Sequence, residues 1–200
     1  MPRNIDADFR EVRGGIRSKE RVKDLAEVFT PERMVKAMLD LVGDASHAVE
    51  TTFLEPACGN GNFLVEILAR KCGTIRKRYL EDGSGRRVQI DILRAIATIS
   101  AIDISPRNVE EARARMLDLT AALYEEILGQ APPDRYLSIC AKIYERKIIV
   151  GDVLHRVGTL HDIRIGDDLS ITCTPHRLED ILPPLASPVK KGLARSASRV

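Results

Sequence analysis

The stretch that most limits how this chain can fold runs from Thr51 to Leu68. Thr51-Thr52-Phe53-Leu54 reads as a short buried strand. It passes without a break into Glu55-Pro56-Ala57-Cys58-Gly59-Asn60-Gly61, and then into a helix carrying Phe63, Leu64, Ile67 and Leu68 at helical spacing. Gly59 and Gly61 let the backbone turn sharply and approach a neighbour that a side chain would obstruct. A buried strand, a glycine turn and a helix in direct succession form the first half of a β-α-β unit, whose next strand must lie parallel to the first.

Two more segments repeat the arrangement. Ser100-Ala101-Ile102-Asp103-Ile104 is a second buried-strand candidate, and Ser105-Pro106 opens a long helix with Val109, Ala112, Met116, Leu119, Leu123 and Ile127 on one face. Lys147-Ile148-Ile149-Val150-Gly151-Asp152 is a third strand ending in an acid. Val88 to Ile99 reads as a helix, and residues 130–134 (QAPPD) break the long one. Upstream, Thr30 can cap a helix that has Pro31 at its first position, carries Met34, Val35, Met38, Leu39 and Val42, and stops at Gly43. Residues 73–87 are polar, basic and glycine-containing, and read as a loop or a frayed helix end. The expected architecture is α/β: a doubly wound, mostly parallel sheet with helices on both faces. It divides into a polar arm or peripheral helix over 1–25, an α/β domain over 26–170, and a Pro/Ser-rich, irregular or disordered tail over 171–200.

The formal net charge is only +2 although 30 % of residues are charged, so composition alone carries no nucleic-acid footprint. Aromatic residues make up 4 % and tryptophan is absent, which argues against a broad base-stacking platform. Cys58, Cys72, Cys140 and Cys173 form no close pair, and His47, His155, His161 and His176 do not interleave with them, so no metal site is expected. No apolar run approaches the roughly 18 residues of a bilayer span, and the first residues lack a signal-peptide core. The expected setting is soluble and cytoplasmic, with no membrane partner.

Open α/β sheets bind ligands at the carboxyl ends of their strands, and three chemically useful features fall there. The Glu55–Gly61 turn lacks the third glycine of a dinucleotide-binding fingerprint, because Leu64 holds that place, and it lacks the Gly-Lys-Ser/Thr of a phosphate loop. It therefore suits a nucleoside-like ligand better than a pyrophosphate. Asp103 can accept charge-assisted hydrogen bonds from two ribose hydroxyls, and Asp152 can accept from an exocyclic amino group. Each acid has a plain alternative as a helix N-cap after a strand. The basic runs Arg76-Lys77-Arg78 and Lys190-Lys191 could touch phosphates, but short surface charge runs are more often simply solvated.

The segment Glu27-Val28-Phe29-Thr30-Pro31, followed by Leu54-Glu55-Pro56-Ala57-Cys58-Gly59-Asn60-Gly61-Asn62-Phe63-Leu64, resembles the adenine-N6 DNA methyltransferases of restriction-modification systems. Their usual form is (G/A)xVFTP followed by (D/E)PACGxGxFL. Ala101–Ile104 is similar to their ribose-binding strand end, and Ile149–Asp152 to their adenine-contacting one. The resemblance spans about residues 25–154 and implies a Rossmann-like class I fold, S-adenosyl-L-methionine as cofactor and DNA as partner. By that resemblance Phe29, Thr30 and Pro31 pack beside the methionine part and Glu55 sits near its amino group. Pro56, Ala57, Cys58, Gly59, Asn60 and Gly61 line the cofactor. Asp103 holds the ribose, Asp152 the adenine amine, and Ile104 and Val153 form apolar walls.

The chain departs from that family at its catalytic segment, (N/D/S)PP(Y/F), which closes the fourth strand and receives a flipped adenine. Here residues 161–166 (HDIRIG) resemble the approach strand, but Asp167-Asp168-Leu169-Ser170 follows, leaving Asp167 as the one weak catalytic candidate. Pro183-Pro184 lies between leucines in the Pro/Ser-rich stretch and reads as a linker. No room remains for a target-recognition domain. The resemblance is thus compatible with a shortened methyltransferase, with one piece of a split enzyme whose partner subunit supplies the missing loop and DNA reading, or with a non-catalytic cofactor-binding subunit. An RNA or protein methyltransferase is disfavoured by the turn.

Overall fold

The computed structural model describes residues 30–183. Phe29, the arm over 1–25 and the stretch from Pro184 to Val200 lie outside the described residues. The chain forms α1 (Glu32–Val42), a 3-10 turn (Gly43–Ser46), β1 (Phe53–Glu55), α2 (Asn62–Asp82), α3 (Gly85–Ala97), β2 (Ile99–Asp103), α4 (Pro106–Leu128), α5 (Asp134–Lys147), β3 (Ile148–Val150), β4 (Thr159–Ile165), β5 (Ile171–Arg177) and the single turn α6 (Leu178–Ile181). Among the described residues no helix is long and apolar enough to cross a membrane.

β1, β2 and β3 form a parallel sheet in that order, with Glu55 opposite Ala101 and Asp103 opposite Val150. β2 is the middle strand and all of its residues are buried, as the sequence expectation requires. The two faces are covered differently. Ile99, Ala101 and Ile148 point into the main core with α2, α3, α4 and α5. Ile102 and Ile149 point the other way, into a small cluster with Leu160 of β4, Leu178 of α6, and the flanking Val153 and Leu182. The expectation of helices on both faces is therefore corrected: a hairpin strand and a single helical turn cover the second face. Leu54, paired with Ser100, stays 45 % exposed, so that cover does not reach β1.

Four further differences have local causes. Residues 73–82 continue α2 instead of looping, because Ile75 is buried on the core side and Gly83, at φ 65°, ends the helix. Gly73 has open space around it and is tolerated mid-helix. Thr30 makes no cap: Pro31 holds the N-cap position without a side-chain bond. The segment 161–166 does become a strand, but it pairs antiparallel with residues 171–177 in a separate two-stranded sheet and does not extend the parallel one. That pairing also draws 171–177 out of the expected irregular tail and into β5.

A buried ammonium holds the entrance to β1. Lys71 of α2 is fully buried, and its Nζ donates to the carbonyl oxygens of Ala48 (2.8 Å), Val49 (2.9 Å) and Thr51 (2.6 Å). It also lies 5.4 Å from the Phe53 ring centroid. Such a charge persists in the interior only because its donors are matched. Replacing it (Lys71→Met) strands those carbonyls and is expected to cost about 3 kcal/mol, read as a lowered denaturation midpoint. Burial also lowers the Lys71 ammonium to about 8, against the ordinary 10.5. Between those values the unfolded chain holds more protons on this nitrogen than the folded one, so its contribution to stability rises with pH. The stability gap between wild type and Lys71→Met should widen across that window; a constant gap would contradict the account.

Candidate functional site

The strand ends converge through one carboxylate. β2 runs two residues past the end of its pairing with β1, which brings Asp103 level with the turn that follows β1. Cys58 N donates to Ile102 O (3.0 Å), and Gly59 N donates to Asp103 Oδ2 (2.8 Å). Asp103 Oδ1 accepts from Ser105 N (2.9 Å) and Asn108 Nδ2 (3.1 Å), while its backbone oxygen accepts from Gly151 N (3.0 Å). Asp103 thus joins the turn after β1, the start of α4 and the end of β3. A carboxylate offers about four acceptor positions; three of those on Asp103 are filled from within the chain.

The turn itself is built against α4. Gly61 N closes on Cys58 O (2.8 Å), Asn60 Nδ2 donates to Glu111 (3.1 Å), and Arg115 donates to Asn60 O and to Asn62 Oδ1. Gly59 has φ 52° and Gly61 has φ 89°, left-handed values that favour glycine. A Cβ on Gly61 would come within 3.2 Å of Ala112 Cβ. The tight neighbour of Gly61 is thus a helix of the same chain, whereas the sequence reading gave this glycine a role in admitting a ligand. Asn108, Ala112 and Arg115 lie on one face of α4 and, with Glu111, hold the turn; sequence reasoning passed over the polar members, although their i, i+4, i+7 spacing was the available signal.

The remaining expected residues differ in how they are disposed. Asn62 Nδ2 donates to Thr30 O (3.2 Å), which brings Thr30 and the adjoining exposed Pro31 to the start of α2. Glu55 Oε1 accepts from Ala57 N (3.2 Å), and burial raises the Glu55 carboxyl above its usual value. Pro56 and Ala57 are exposed. Cys58 is buried, and burial, with Asp103 and Glu55 nearby, pushes its thiol up to about 12, so it stays protonated. Asn60 is buried with its Oδ1 lacking a hydrogen-bond partner. Ile104 stands exposed at the end of β2, as an apolar wall would, whereas Val153 packs into the cluster beneath β3.

Asp152 follows β3, bridged to Val157 in a tight turn. Its carboxylate accepts from His155 N (2.9 Å) and pairs with His155 Nδ1 (2.6 Å), contacts that hold it below the usual carboxylate value. Asp167 is not brought to these strand ends. It sits in the β4–β5 turn, its carboxylate 2.9 Å from Arg94, a residue of the last turn of α3 that also donates to Ile165 O (3.1 Å). Because α3 leads into the first residue of β2, that turn lies at the end of the sheet where strands begin.

Comparisons with family models, with curated proteins and with solved structures return no match. Hydrogen bonds gather the Gly59 turn, Asp103 and, through Gly151, the turn that holds Asp152 at one end of the sheet, with Ile104 exposed beside them; this cluster is the notch. Gly61→Ala is expected to lower stability by about 1–2 kcal/mol through left-handed strain and contact with Ala112. Denaturant melts should show the same loss with and without any ligand of the notch, since Gly61 faces the helix.

Proposed function

We propose that this chain is the S-adenosyl-L-methionine-binding portion of an adenine-N6 DNA methyltransferase of a restriction-modification system, built on a Rossmann-like parallel sheet and working in the cytoplasm. The observation that carries the reading is the juxtaposition at the ends of three adjacent parallel strands: the PACGNGNF turn, Asp103 and Asp152 fall side by side in the order the resemblance requires. The donor set suits a nucleoside with an amino-acid arm. Asp103 retains one acceptor position for a ribose hydroxyl, Asp152 is held ionised for an exocyclic amine, and Ile104 offers an apolar surface for a base. Glu55 and the Thr30–Pro31 corner at the start of α2 would receive the methionine part. When bound, the cofactor supplies an electrophilic methyl group; the chain's own residues orient it and shield one side from water. DNA would be the partner, with a further subunit supplying target recognition.

A second reading, a non-catalytic cofactor-binding subunit of such an assembly, is favoured by one observation. Asp167, the candidate for meeting a target amine, is engaged by Arg94 at the opposite end of the sheet. Transfer of labelled methyl groups to DNA by the full chain alone would select the first reading; cofactor binding without transfer would select the second.

Titration calorimetry with S-adenosyl-L-methionine tests both at their common root. Saturable binding at one cofactor per chain is expected. Ile104→Asp, at an exposed position, should weaken it about tenfold or more by burying a charge against the ligand, with the thermal midpoint unchanged. No heat from a folded sample overturns the assignment.

A further inference from the structure

Away from the notch, beside the β4–β5 turn that holds Asp167, the chain gathers several arginines. Arg78 of α2 and Arg86, Arg87 and Arg94 of α3 line one cavity of about 430 Å3. The carboxylates that share its lining are Glu50, Asp91 and Asp167. Asp91 is the central one: its side chain is 5 % exposed, and it faces Arg78 at 3.3 Å, Arg94 at 3.7 Å and Arg87 at 3.8 Å. Asp91 is not their sole partner, since Arg87 also pairs with Asp82 at 2.9 Å and Arg94 with Asp167 at 2.9 Å, but each guanidinium carries five N–H groups and keeps donors beyond these bonds. Glu50 reaches Arg78 only at 3.8 Å, and Asp167 meets Arg94 at 2.9 Å from a side chain that is 93 % exposed.

Arg86 is the least committed of the group. Among the described residues no carboxylate lies within ion-pair distance of it, and its guanidinium meets the backbone oxygen of Asp167 at 3.5 Å. It belongs to the first turn of α3, where Ser84 Oγ already accepts from Arg87 N at 3.3 Å and the helix dipole adds positive potential. Ile90 is the one large aliphatic side chain on the lining, so an apolar ligand finds little purchase.

We propose that this cavity binds a phosphate group, its oxygens accepting from Arg86 and from the donors of Arg87 that Asp82 and Asp91 leave open. Planar guanidinium forks match phosphate oxygens in pairs, and a cavity already holding several of them pays little to gather them. The phosphate belongs either to a nucleic-acid backbone or to a free polyphosphate; the chemistry of the site is the same for both. The inference does not rest on the cofactor reading and concerns the other end of the sheet.

The test is titration of the full chain with inorganic pyrophosphate and, separately, with a short DNA duplex. Pyrophosphate is expected to saturate a single site, with affinity that falls as salt rises. The double variant Arg86→Ala/Arg87→Ala should reduce affinity about tenfold or more, while Arg86→Lys keeps the charge but loses the fork and recovers only part. Equal thermal midpoints would show that both variants fold. Duplex binding that pyrophosphate displaces and the double variant loses identifies a nucleic-acid backbone; pyrophosphate binding without duplex binding identifies a free polyphosphate. Failure of both probes to saturate, or affinities unchanged in the double variant, overturns the proposal. Ile104→Asp should leave this binding intact, which separates its outcome from that of the notch.

Discussion

Asp103 is the point through which the parallel strands act as one unit. Its side chain gathers an amide from the turn after β1 together with an amide and a side-chain amide from the start of α4, and its carbonyl receives Gly151 beyond β3. A buried carboxylate without those donors would be strongly unfavourable; with them it is a charged node that sets the spacing of the strand ends. The same bonds limit what it can do for a ligand. On the proposed cofactor reading, Asp103 would meet a sugar with most of its acceptor capacity already engaged by the chain, and so would offer a pre-formed edge more than an unoccupied hydrogen-bonding group. Fixing that edge in advance removes an ordering cost that a mobile acid would incur at binding.

The sheet is lopsided. Helices seal one face from Val35 through Tyr144, whereas on the other Ile102 and Ile149 rest on Leu160 of β4 and Leu178 of α6, with Val153 and Leu182 beside them. β4 links the two, since Leu160 belongs to the small cluster while Ile163 and Ile165 reach the large one. The hairpin is therefore part of the domain's packing, and the position of Asp167 at its turn follows from that packing.

The parts of the fold that could be read from sequence were those where local pattern and burial agree. All three parallel strands, the start of α2, and α4 opening at Ser105-Pro106 fall close to where short apolar runs, glycine and proline put them. Elsewhere long-range contacts decided. The basic run around Arg76–Arg78 is helical because Ile75 on the opposite side is buried, and α5 was obscured by the polarity of its outer face, although Tyr136, Cys140, Ile143 and Tyr144 mark a buried stripe. β5 could not be recognised by alternation, since its residues are exposed on both faces and its existence rests on backbone pairing with β4. At the strand ends, the positions of Gly59, Asp103 and Asp152 were legible, but the internal partners Asn108, Glu111, Arg115 and His155 depend on tertiary proximity that spacing alone does not reveal.

Among the described residues no strand pairs with the outer side of β1. An unpaired strand side ordinarily invites another chain to continue the ladder, and proteins blunt that hazard with charge, proline or brevity. Here brevity serves: β1 spans Phe53–Glu55, and Glu55-Pro56 ends it. So short a margin presents only about two outward-facing backbone groups, enough to guide a docking segment but too few to nucleate a fibril.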